Sequence, residues 1–145
     1  MLLYNCSSWA APADVLEKLK VMQRKHLRKI LNIYWPAVIS NEALYKRCNV
    51  RPITERVDAS RWKMLGHVLR SSNMTPVFQS FQFACIGSKV YKGRLGRPRT
   101  NLYDCVVNDL AMRNLYVNSI DDFYNLVYIA SDRKRWRELV NETTG

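Results

Sequence analysis

The sequence predicts an all-α fold: about six or seven short helices in one irregular bundle, with a basic Gly/Pro loop near residues 87–99. Three observations lead there. Apolar residues recur at 3.6-residue spacing in segment after segment, most of them opened by a Ser, Thr, Asn, Asp or Pro that can start a helix. No pair of alternating segments joined by a hairpin turn is found. Nearly half of the 145 residues are apolar, with Trp9, Trp35, Trp62 and Trp136 spread along the chain, enough to bury a core in a domain of this size.

Taken in order, residues 1–11 are apolar and carry Tyr4 and Trp9. They read as an interior segment of something longer. Pro12 suits a first helical turn, and Asp14 and Glu17 suit the positive end of a helix dipole. From Val15 to Leu31 one face is apolar (Val15, Leu16, Leu19, Met22, Leu27, Ile30, Leu31), with His26 at its border as a packing residue. The other face carries Lys18, Lys20, Arg24, Lys25, Arg28 and Lys29. Pro36 is expected to break this helix. Ser40 or Asn41 then caps a short helix to Cys48. Pro52 opens the next one, with Ile53, Val57, Met64, Leu65, Val68 and Leu69 as its buried stripe and Arg56, Arg61, Lys63 and Arg70 on its margins. Gly66 costs this helix about 1 kcal/mol relative to Ala, which is tolerable if another element crosses closely there.

Residues 71–76 read as a loop and "VFQSFQFACI" as a short helix after Pro76 or an extended segment, Phe78, Phe81 and Phe83 fitting neither period cleanly, with helix preferred. A helix over 101–113 follows, capped by Thr100 or Asn101. Another begins at Asn118 or Ser119. The last is capped by Ser131 or Asp132, with Trp136, Leu139 and Val140 turned inward. The organisation expected is one domain: an N-terminal basic helical lobe (1–86), a basic loop (87–100) and a C-terminal helical lobe (101–145) packed on it.

The formal net charge is +11, and it is uneven. Residues 1–70 hold thirteen Lys/Arg against five Asp/Glu, residues 71–103 five against none, and residues 104–145 five against seven. Such a field calls for a polyanionic partner. The strongest local signal is "GSKVYKGRLGRPRTNLYDCVVNDL" (87–110). Lys89, Lys92, Arg94, Arg97 and Arg99 arrive with no acid among them, beside the start of a helix, and a helix N-terminus next to a positive loop suits a phosphate. The same stretch also reads as a solvated linker. "GRPR" (96–99) approaches the core of an AT-hook, but Leu95 stands where that motif has Arg, so a phosphate-contacting loop fits better. The candidate nucleic-acid-binding residues are therefore Lys89, Lys92, Arg94, Arg97 and Arg99, with Lys25, Arg28 and Lys29 on the first helix. The loop is expected to contribute more binding than "DRKRWR" (132–137), which could also contact phosphate but, with Trp136 and Leu139 on one helix, reads rather as a docking helix with a solvated basic side.

Other chemistry finds no foothold. Cysteines at 6, 48, 85 and 105 and histidines at 26 and 67 have no metal-ligand spacing. No nucleophile–base pair, phosphate-binding Gly-rich loop or catalytic carboxylate pair is found. No catalytic residue, metal or cofactor is expected. No stretch approaches a membrane span, the N-terminus lacks the charged start of a signal peptide, and widely spaced thiols fit an intracellular protein, nuclear or cytoplasmic.

Five stretches, in this order, carry a resemblance: "LLYNCSSWA" (2–10), "LRKILNIYWPAVISNEAL" (27–44), "RWKMLGHVLR" (61–70), "GRLGRPRTNLYDCVVNDL" (93–110) and "ASDRKRWRELV" (130–140). Together they resemble the region C-terminal to the polymerase core in LINE-type (non-LTR) retrotransposon reverse transcriptases. The resemblance implies a thumb and post-thumb helical region that grips the template–primer or element RNA through phosphate contacts. It does not imply polymerase activity: the catalytic palm motif is absent, the sole Asp-Asp being Asp121-Asp122 after "VNSI". The expected partner is nucleic acid (RNA, DNA or a hybrid duplex), with a polymerase core chain as a second. Two alternatives stand beside this: a protein-docking module for a separate polymerase chain, or a non-functional relic of an eroded element.

Overall fold

The computed structural model describes residues 2–87 and 100–142. Among them the chain is all-helical: a 3-10 turn at Cys6–Ser8, then α1 (Ala13–Ile30), α2 (Asn41–Cys48), α3 (Ile53–Leu69), α4 (Pro76–Gly87), α5 (Leu102–Ala111), α6 (Ile120–Ser131) and α7 (Arg133–Glu142).

Short-range hydrogen bonds set most helix starts. The Ser40 hydroxyl accepts from the Ala43 amide at the head of α2. Asn101 and Ser119 each form a reciprocal capping box, with Asp104 and Asp122 reaching back to the cap amide. Asp132 accepts from the amides of Lys134 and Arg135 and starts α7.

Three ends share one device. Asn32, Asn49 and Asn114 take positive φ. Each is followed by an apolar residue (Ile33, Val50 or Leu115) whose amide bonds back to Arg28, Tyr45 or Leu110, as in a Schellman closure. The first helix therefore ends at Ile30, before Pro36 is reached. The sequence expectation placed that break at the proline; the asparagine, tolerant of left-handed backbone, acts first.

α3 is the spine. Its N-terminal half carries the buried Ile53 and Val57 and packs with α1 and the 3-10 turn, where Cys6 is buried; α2, which buries Leu44, rests on α1. Its C-terminal half enters the main core. There Trp62, Leu65 and Leu69 join Phe78 and Cys85 of α4, Val106 and Leu110 of α5, Phe123, Leu126 and Ala130 of α6, and Trp136 of α7. Leu139 is half-buried against this cluster, and the side chain of Val140 lies outside the described ones. Cys6, Cys48, Cys85 and Cys105 are free thiols, and burial pushes Cys85 to about 11.

Two expectations need correction. α1 buries none of its residues: Val15, Val21 and Ile30 are exposed, and so is His26, whose Nδ1 lies 2.8 Å from the Met22 carbonyl oxygen. Arg61 is not marginal but 3% exposed. Its Nε donates to Asp109 at 2.6 Å and its Nη2 to Asp58 at 2.8 Å, so the side chain is a strut between α3 and α5.

Candidate functional site

The expected site residues fall into two groups. Lys89, Lys92, Arg94, Arg97 and Arg99 lie outside the described residues. Lys25, Arg28 and Lys29 occupy the last turns of α1, and they are not equivalent. Arg28 is half-buried and donates to Asn41 Oδ1 at 2.8 Å, bracing α1 against the start of α2. Lys25 and Lys29 are exposed one turn apart. Further up the helix, Glu17 pairs with Lys20 and Arg24, and those partners pull its carboxyl below the usual value. The basic face of α1 is thus partly neutralised and partly structural.

A second basic cluster forms where α7 crosses α3. The crossing is close because Gly66 has no side chain: a Cβ there would sit 2.7 Å from Trp136 Cδ1 and closer still to its Nε1. Trp62 and Trp136 stack with ring centroids 4.2 Å apart and planes 5° from parallel. Each indole N–H donates to the other residue's carbonyl, at 3.0 and 3.1 Å. Arg113 lies 4.3 Å over the Trp62 ring and donates to the carbonyls of Asp109 and Leu139. Asp109 itself is held above the usual carboxylate range by burial, with Arg61 pulling the other way. These contacts fix α7 against α3 and α5.

Beside the tryptophan pair runs a groove of about 820 Å³, lined by Lys63 and His67 of α3, Arg70 just past its end, Arg133 and Arg137 of α7, and the serines Ser7 and Ser60. No carboxylate lines it among the described residues. Asp132, the nearest acid in sequence to Arg133, is engaged at the α7 cap. Arg70 is anchored by a 2.9 Å hydrogen bond to the Ala130 carbonyl. Burial, and after it the charges of Arg133 and Arg137, hold its guanidinium below its ordinary value. An arginine stays charged regardless, so Arg133 and Arg137 oppose the charge of Arg70 here with no carboxylate among the described residues lining the groove. Such a cluster is stabilised by a bound anion, and arginine forks suit phosphate oxygens.

Trp62 and Trp136 are 1% and 3% exposed. With both N–H groups already engaged, they support this groove and leave no aromatic face for a base. The sequence reading missed the site because its halves lie some 70 residues apart. A signal existed: "RWK" at 61–63 and "RWR" at 135–137 are near-copies, and Lys63, His67 and Arg70 follow one helical row.

Among the described residues no group of three or more His, Cys, Asp or Glu could hold a metal ion, and no helix is long and apolar enough to cross a membrane. No protein-family model, curated protein or solved structure matches the chain.

Proposed function

We propose that this chain is a nucleic-acid-binding helical appendage that grips a phosphate backbone in the α3–α7 groove and is not catalytic by itself. One observation carries the reading: Lys63, Arg70, Arg133 and Arg137 converge on one groove with no carboxylate among its described lining residues. Cations converging in this way suit a polyanion, and the engaged indoles leave phosphate rather than base sequence to be recognised there. The exposed Lys25 and Lys29, and in the sequence Lys89, Lys92, Arg94, Arg97 and Arg99, add to the chain's positive charge. The resemblance to LINE-type reverse transcriptases supplies the setting: RNA, DNA or their hybrid held beside a polymerase core, in the nucleus or cytoplasm.

The test is affinity for a labelled oligonucleotide across a salt series. With about four phosphates neutralised, log K falls against log salt with a slope of roughly −3 to −4. A flat response overturns the reading.

One observation favours a second reading, a protein-docking module. At the end of α1 and just past it, Ile30, Tyr34, Trp35 and Val38 are all exposed, Trp35 and Val38 at 91% each, and exposed apolar side chains of this kind mark contact surfaces. Self-association in sedimentation, lost in a Trp35→Ser variant, distinguishes it.

A further inference from the structure

Successive residues of a helix lie 100° apart. Around α3 this places Lys63, His67, Met64 and Val68 side by side in that order. The first two line the basic groove. Val68 lines a different one, of about 430 Å³, between α3, α4 and α5, and Met64 lines both. The two grooves therefore adjoin.

The second groove has the opposite chemistry. Its walls include Met64, Val68, Val77, Phe81, Leu102 and Val106. α4, which supplies one wall, has no charged residue in its twelve. The Tyr103 hydroxyl at this site is committed to the Cys85 carbonyl at 3.1 Å. The Phe81 ring is held edge-on by Tyr103, with centroids 6.4 Å apart, and against Phe123 at 6.2 Å. Val77 is 59% exposed, so the groove is reachable from solvent.

A ligand matching both grooves carries a run of negative charge and, within reach of it, a flat apolar unit. Resting on the nucleic-acid reading above, we propose that the chain binds single-stranded nucleic acid, with phosphates in the basic groove and an unstacked base in the apolar one. Basic grooves flanked by aromatic side chains are how sequence-tolerant single-strand binders work. A duplex keeps its bases stacked and paired and has none to offer. A second copy of this chain is a poor occupant, because two molecules of formal charge +11 repel. Scarce polar atoms in the apolar walls mean that base identity is not read there.

The experiment titrates the full chain with an oligothymidylate and with an abasic oligomer of the same length and phosphate count. The oligothymidylate binds about fivefold or more tightly, since one stacked base contributes at least about that factor. A Val68→Ser, Val77→Ser variant, both sites lining the apolar groove alone and checked for unchanged helicity, brings the oligothymidylate down to the abasic level and leaves abasic binding as it was. Equal affinities of the original chain for the two oligomers overturn the inference and leave the apolar groove to a protein segment. Salt-dependent binding of both in that case keeps the phosphate reading standing. Salt-independent binding of both, or none, removes that reading as well.

Discussion

The two described basic surfaces are built on different terms. On α1, six Lys and Arg are strung along eighteen residues. Three of them are spent on Glu17 and Asn41, and the helix buries nothing. In the α3–α7 groove, fewer cations converge from two helices. They are fixed by a stacked tryptophan pair, by the absent side chain of Gly66 and by the bond from Arg70 to Ala130. Charge count favours the first surface and convergence favours the second. Phosphate affinity depends on how many cations reach one backbone at once without an acid or a structural partner competing for them.

Removing the floor of the groove has the largest expected effect. Trp136→Ala should cost about 3–5 kcal/mol of stability, the usual range for a buried aromatic, measured by urea unfolding, and it should weaken oligonucleotide binding even where the variant is still folded. Lys25→Gln should leave stability within about 0.5 kcal/mol, as exposed substitutions usually do.

Charge removal then separates the two surfaces. Arg133→Gln with Arg137→Gln should flatten the salt slope by about two with the fold intact by circular dichroism. Lys25→Gln with Lys29→Gln should flatten it less. A third variant, with Lys92, Arg94, Arg97 and Arg99 all replaced by Ala, ranks the cations of residues 89–99 against both. An effect there larger than the groove effect returns the leading role to that stretch, as the sequence alone suggested. A larger effect from α1 reverses the comparison.

The smallest change tests geometry at constant charge. Gly66→Ala raises intrinsic helix propensity by about 1 kcal/mol, yet its methyl group meets the Trp136 ring. Overpacking of this kind costs about 1–3 kcal/mol. The net result should be a loss of stability, read as a lower urea midpoint, together with weaker binding although no charge has moved. A stabilised Gly66→Ala variant shows that α7 is free to shift and that the groove is not preformed.

What the sequence determined by itself is what depends on neighbours a few residues away. The helices follow from apolar spacing. The starts at Ser40, Asn101, Ser119 and Asp132 follow from side chains that bond two or three residues ahead, so they are legible in one dimension. The asparagine ends at 32, 49 and 114 are equally local, and their recurring Asn–apolar pairs could have been read. Tertiary structure alone decided the rest. Arg61 bonds Asp58 within its own helix, but only Asp109, 48 residues away, makes it a strut between α3 and α5. Gly66 suggested a close crossing, but only the fold made Trp136 the residue that lies across it. Arg70, Arg133 and Arg137 became one site because the tryptophans at 62 and 136 bond each other across 74 residues. Convergence of charge is a property of distances in space, and a chain position carries no record of them until the core has formed.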